Sequence, residues 1–317
     1  MTTCGPTEVL WERRRVALAF RLSSRTLGAV RLPLLVRTAS PSERALAADE
    51  LPPQPETLEA GTCGWVSWSQ PIGAKLPRLR GRGRLLIYVA QQYQRYFVDL
   101  TGGYDNYLAK FSAKSRSTLR RKIRKFEELS GGRIEWRIFR KPSEIEEFFR
   151  LATPLSENTY QERLFGSGLG ADAADLGYTL KLAEQDLVRA YLLFLRGQPI
   201  AYLFCPVRNG ALIYDKQGYD PQHASCSPGT VLQLLALESL FKEETHQLLD
   251  FTEGEGEHKQ FFSTRSQLCA DIFVLRRRPG LIIAVVAHAA MESITVPLRD
   301  ALRRVGLLAK VRRLLRA

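Results

Sequence analysis

The chain has 317 residues, 45% of them hydrophobic, which is enough for one large domain or two of ordinary size with a sizeable core. Its formal charge of +13 is concentrated: Lys110–Lys125 and Arg276–Ala317 each carry a net +8, so the rest of the chain is slightly acidic. The longest apolar run, Leu281 to Met291, is interrupted by His288 and falls short of the roughly 20 residues a membrane span needs. Glu8 and several arginines precede any apolar stretch, so no secretory signal is expected and the cytoplasm is. The five cysteines lack C-x-x-C pairing and the four histidines lack ligand spacing, which predicts free thiols and no metal site.

Residues 1–60 are rich in Arg, Pro, Ser and Ala, with one apolar run, Val30–Val36, that suits an early strand. Ser40–Glu59 carries four prolines and reads as a mobile loop. Strands are expected over Arg84–Ala90 and Tyr96–Leu100. From Tyr104 to Leu129, Leu108, Phe111, Leu119, Ile123 and Phe126 recur at helical steps among lysines and arginines, which predicts one amphipathic helix stopped by Gly131 and Gly132. A strand over Ile134–Phe139 and a helix from Pro142, with Ser143 as its candidate cap, come next.

Three short strands follow, at Val188–Leu195, Ile200–Val207 and Ala211–Tyr214, joined by the turns Arg196–Pro199 and Arg208–Gly210. A polar loop, Gln217–Cys226, then leads to a helix from Pro228 to about Glu243. The strand Gln247–Phe251, a short helix near His258–Phe262 and the strand Asp271–Leu275 complete the order.

The start of the helix at 228 attracts notice on chemical grounds. Ser227 suits an N-cap, Pro228 the first helical position, and Gly229 leaves the backbone open to a ligand. Unpaired N–H groups there, with the helix dipole, favour a phosphate. The same three residues equally describe an ordinary cap on a buried helix, since that helix is apolar nearly all round.

The order of elements resembles the GNAT superfamily of acyltransferases. Ile213-Tyr214-Asp215-Lys216-Gln217-Gly218-Tyr219-Asp220, Ser227-Pro228-Gly229, Leu249-Asp250-Phe251-Thr252-Glu253-Gly254 and Lys259 are similar to the cellulose-biosynthesis (CelD/BcsL-like) acetyltransferase group. So is the basic helix with Ser115-Arg116, Leu119-Arg120-Arg121 and Arg124. The likeness covers roughly residues 104–275. It implies an α+β (mixed α/β) fold with a central, mostly antiparallel sheet flanked by helices, and two tandem GNAT-like halves. The corresponding division is an N-terminal half at 1–103, an acyltransferase domain at 104–278 and basic amphipathic helices at 279–317.

It also implies acetyl-CoA or another acyl-CoA as cosubstrate, bound by Gln217, Gly218, Ser227, Pro228, Gly229 and Thr230, with no metal. The reaction implied is attack of an amine, or of a sugar hydroxyl, on the thioester, with a small-molecule, glycan or lipid-linked acceptor. Asp250, Asp215 and Glu253 are candidate bases. His258 stands where the resembled group has tyrosine, and is the candidate donor to the leaving thiolate. Lys259, Arg116 and Arg120 are candidates for holding anionic groups of the substrates.

Each of these side chains has a plainer reading: a salt-bridged carboxylate, a surface histidine, a solvated cation. Leu298–Arg316 has apolar residues at helical spacing among seven basic ones, and suits either an anionic membrane at its inner face or packing on the domain. Two other functions compete. One is a Fem-type transferase using aminoacyl-tRNA. The other is a non-catalytic nucleic-acid or membrane-binding module, against which stands the lack of aromatics interleaved with the arginines.

Overall fold

Strand alternation puts apolar side chains on both faces of each sheet, so each sheet needs cover on both sides. The computed structural model describes residues 11–22, 25–157, 169, 173–254 and 256–304. The chain forms two compact units, residues 1–93 with 267–317, and residues 94–266.

In the first unit, β1 (Glu12–Leu22) and β2 (Arg25–Thr38) form a long antiparallel hairpin, and β2 runs parallel to β3 (Gly64–Pro71). The short β4 (Leu79–Arg82) pairs antiparallel with the first part of β5 (Leu85–Asp99). Strand β12 (Arg265–Arg276) lies antiparallel to β3. Leu34, Val36, Val66, Tyr88 and Phe273 point to one face, where Val285 and Ala289 of the C-terminal helix, Pro279–Arg304, cover them. Leu35, Trp65, Ile87, Val89, Ile272 and Val274 point to the other, around Leu46 and Ile72.

Leu46 belongs to the segment expected to be a mobile loop. That segment is tied to the unit by the bonds Leu46 N to Pro71 O and Gly73 N to Leu46 O, and by Arg80 and Arg82 donating to the carbonyls of Glu50 and Asp49. Hairpin β1–β2 exceeds the short strand expected: it also takes in the apolar run Val16–Phe20, which follows three consecutive arginines, and Arg25–Ala29.

In the second unit, strands β6 (Glu135–Phe139), β7 (Val188–Leu195), β8 (Gln198–Arg208) and β9 (Ala211–Ile213) are consecutive antiparallel neighbours. Strand β10 (Lys216–Tyr219) also pairs with β8, while β11 (Leu248–Asp250) lies between β9 and the end of β5. Helices α3 (Pro142–Glu157) and α4 (Ala173–Glu184) accompany the face formed by Ala190, Leu192, Phe194, Tyr202 and Phe204. On the opposite face, Tyr191, Leu193, Ala201 and Leu203 pack with α1 (Tyr104–Ala109), α2 (Ala113–Leu129), α5 (Pro228–Glu243) and α6 (Glu257–Phe262). Arg189, fully buried on β7, is paired with Glu243 and Asp186.

The mixed α/β, mostly antiparallel architecture is the one the resemblance implied. Several local expectations are corrected. The helix predicted over 104–129 is two helices, because Ser112 caps α2 by accepting the Ser115 N–H at 3.1 Å. Arg116 satisfies the carbonyls left at the end of α1 by donating to Ala109 and Phe111. Strands 84–90 and 96–100 are one continuous β5.

The polar loop 217–226 instead comprises β10 and a 3₁₀ turn, Pro221–Cys226. At α3 the carboxylate of Glu144, not Ser143, caps the helix by accepting from the N–H groups of Arg140 and Lys141. Strand β12 and the C-terminal helix group with residues 1–93, not with the domain they follow. Residues 305–317, most of the basic stretch expected to meet a membrane or the domain, lie outside the described residues.

Candidate active site

Between Leu212 and Lys216 the chain takes four steps opposite three on β8, from Val207 to Phe204, so Tyr214 and Asp215 form a bulge. Strand β11 pairs with β9 only at Leu249–Leu212 and Asp250–Ile213, and β10 continues along β8 without it. The sheet therefore forks just past Tyr214 and Asp250. Tyr214 and Phe251 stand at the fork with ring centroids 4.9 Å apart, and the Tyr214 hydroxyl donates to Gln233 Oε1 at 3.2 Å.

The fork is pinned from one side by a buried ion pair. Asp250 is fully buried, and its carboxylate accepts from the Arg95 guanidinium and from the Thr252 N–H at 2.8 Å. With both oxygens engaged, Asp250 holds the end of β11 to β5 and is not presented as an acceptor-facing base, as the sequence had suggested. Asp215 pairs with Arg208 at 3.5 Å. Glu253 takes Lys259 Nζ on its main-chain carbonyl at 2.6 Å, so Lys259 braces the loop after β11. Burial pushes the Lys259 ammonium below its ordinary pKa, opposed by Asp250 and Glu253.

Beside the fork, α2, the first turn of α5 and α6 line a cavity of about 460 Å³ that opens to solvent. Its polar lining is Lys114, Ser115, Thr118, Lys122 and Thr230, its apolar wall Leu119, Phe261 and Phe262, and Glu257 and His258 complete it. Lys122 Nζ donates to Thr230 Oγ1 at 3.4 Å and Lys125 Nζ to the Ser225 carbonyl at 3.0 Å, which joins α2 to the approach to α5. Two ammonium groups and three hydroxyls suit an anion, and the adjoining aromatic wall suits an uncharged arm attached to it. Lys110 Nζ donates to the carbonyls of Phe261 (2.7 Å) and Ser263 (2.5 Å), and Tyr107 to that of Phe262 (3.0 Å), so α1 and its following turn hold α6 in place. Burial lowers the Lys110 pKa to about 8.

His258 joins the cavity to the fork. Its ring lies 4.9 Å from Phe262 and 6.2 Å from both Tyr214 and Phe251. Burial among these rings, with Lys259 and Lys122 nearby, pushes its pKa below the ordinary 6.5. The imidazole is therefore neutral at pH 7 and ready to accept a proton, whereas the sequence reading made it a donor from the outset.

Among the residues expected to bind a cofactor, Thr230 alone lines this cavity. Ser227 makes no side-chain cap bond. It has φ 54° and ψ 49° because one residue must end the 3₁₀ turn and begin α5, and its carbonyl accepts from Thr230 and Val231. Pro228 and Gly229 are buried. A Cβ on Gly229 would lie 3.3 Å from both Gln217 Nε2 and Tyr219 Cδ1, so the glycine admits β10 rather than a ligand. Gln217 donates to the Gly229 carbonyl at 3.0 Å, and Gly218 is buried opposite Tyr202.

Arg116 is engaged at the end of α1, and Arg120, two residues out of phase with the 114–118–122 row, lies on the other side of α2. The sequence reading missed Lys114, Ser115, Thr118 and Lys122. Lys114, Thr118 and Lys122 recur every four residues, but basic residues flank the apolar face of that helix on both sides, and charge alone did not choose between the flanks. Among the described residues no cluster of His, Cys, Asp and Glu could hold a metal ion.

Residues 113–260, just under half of the chain, match the family model described as acetyltransferase (GNAT) domain. The domain supports an acyltransferase, with an acyl-CoA as the implied cosubstrate. No curated protein matches the chain. Among solved structures, it is similar to the C-terminal domain of a putative lysylphosphatidylglycerol synthetase from Agrobacterium fabrum, at 12% identity over 74% of this chain and 73% of that one, with a TM-score of 0.47. L-PGS from Bacillus licheniformis is similar at 14% identity over 73% of each chain, TM-score 0.45. FemX is similar at 12% identity over 59% of this chain and 62% of that one, TM-score 0.40.

Two outcomes are expected. R95M strands the buried Asp250 carboxylate and should lower unfolding free energy in urea titrations by about 3–5 kcal/mol. K122M should weaken coenzyme A binding by about tenfold or more in a calorimetric titration, the loss of one charge-assisted contact, whereas R120M should leave it unchanged.

Proposed function

We propose that the protein transfers an acyl group from acyl-CoA to an amine by direct attack on the thioester, with the thioester at the fork between β10 and β11 and the cofactor's phosphates in the adjoining basic cavity. The observation that carries this reading is the position of His258: it lines the cavity and touches both Tyr214 and Phe251 at the fork. A ligand with a polyanionic end and an uncharged arm matches the change from lysines and hydroxyls at Lys114, Lys122 and Thr230 to the aromatic wall of α6.

In this reading a neutral amine attacks the carbonyl carbon, the N–C bond forms and the C–S bond breaks. His258 accepts the proton released by the attacking nitrogen and passes it to the departing thiolate, so one imidazole serves as base and then as acid. Its lowered pKa keeps it neutral for the first step. Tyr214 carries a hydroxyl whose pKa burial raises well above the ordinary value, so it remains protonated beside the fork. The wording of the segments from Ile213 to Lys259 supports placing the protein with the cellulose-biosynthesis group, and its acceptor among envelope glycan or lipid-linked amines.

H258Q should reduce kcat by about 10²–10³, measured as thiol release from acetyl-CoA with an amine acceptor, with little change in acetyl-CoA binding. The wild-type rate should hold through pH 6.5 and fall only at lower pH, because burial pushes the imidazole pKa below 6.5 and the ring must be neutral to act. H258Q should lose that acid limb. Equal turnover in the two proteins would remove His258 from the mechanism.

A further inference from the structure

The C-terminal helix, α7 (Pro279–Arg304), covers the first unit's sheet with Val285, His288 and Ala289. His288 accepts or donates at Tyr88 across 2.6 Å and meets Phe20 of β1 edge-on at 5.4 Å, so this side of the helix is fixed against the sheet. The opposite side has a different character. Ile283 is 69% exposed and Val286 46%, with Ala287 and Ala290 exposed beside them on the same stripe. No charged residue occurs from Pro279 to Met291, so the outward stripe has none to solvate it. A soluble helix packed on one side normally turns a polar face to water.

The surroundings of this stripe are basic. Arg276, Arg277 and Arg278 lead into the helix, and Arg78 donates to Ser293, three residues beyond Ala290, at 2.7 Å. Glu292 is the acidic residue that faces His288. On β2, Leu27 (64%) and Val30 (36%) are also exposed, and Val30 pairs with Leu18, which packs in the core with Val285.

We propose that this unit docks on an anionic lipid surface, with the stripe Ile283–Val286–Ala287–Ala290 entering the headgroup boundary and the flanking arginines meeting lipid phosphates. An apolar stripe bordered by cations is complementary to an anionic bilayer on both counts. No helix of the described residues is long and apolar enough to cross a membrane, so the helix lies on the surface. The inference is independent of the transfer chemistry, and differs from the membrane contact expected at Leu298–Arg316 in resting on described, exposed side chains.

The test is sedimentation of the full chain with vesicles of phosphatidylcholine alone and with phosphatidylglycerol added, at low and high salt. Wild type should sediment with the phosphatidylglycerol vesicles and be released by salt. I283E/V286E should bind those vesicles at least about tenfold more weakly, with an unchanged melting temperature, since both residues are exposed. Binding unaffected by the double substitution would overturn the proposal. So would wild type that stays in the supernatant, or a wild-type dimer in sedimentation equilibrium that the substitutions dissociate while vesicle binding is absent.

Discussion

The geometry of the catalytic unit depends on the buried pair between Arg95 and Asp250. Asp250 is the last paired residue of β11, and the guanidinium of Arg95 holds it toward β5 at the point where β10 follows β8 instead. A sheet does not open between neighbours without cost, because each strand loses a ladder of hydrogen bonds. Here the bulge at Tyr214–Asp215 releases one side of the ladder and the ion pair replaces it on the other. The Thr252 N–H, donating to the same carboxylate, then turns the chain into the loop that Lys259 braces.

From that pin the remaining parts of the site follow in order. The loop delivers α6 at Glu257, and Lys110 and Tyr107 secure its last carbonyls, so His258 is held against Tyr214 and Phe251 while Phe261 and Phe262 line the cavity. In the proposed mechanism rigid placement matters for His258, because proton transfer depends on hydrogen-bond distance before it depends on pKa. Crowding by aromatic rings supplies the pKa adjustment as well, since the charged imidazolium is poorly solvated there.

Much of the second unit was legible from periodicity. The strands of the meander, the helix from Pro228 and the short helix at His258 appear where apolar spacing and turn residues put them. What pattern could not convey was pairing at a distance. Asp250 looked like a base because a carboxylate in a suggestive motif carries no sign of its partner, and Arg95 lies 155 positions away in a strand whose register sequence does not reveal. Ser227-Pro228-Gly229 looked like a ligand cradle because its contacts with Gln217 and Tyr219 depend on how β10 folds back. The first unit was read least well: its hairpin is arginine-rich and its core is shared among strands drawn from both ends of the chain.

The central claim is that the basic cavity and the fork form one acyl-CoA site in a transferase domain. Its most direct measurement is isothermal calorimetry of the intact protein with acetyl-CoA, longer acyl-CoAs and coenzyme A. The account predicts saturable binding with one site per chain. Absence of binding to every one of these ligands would contradict it.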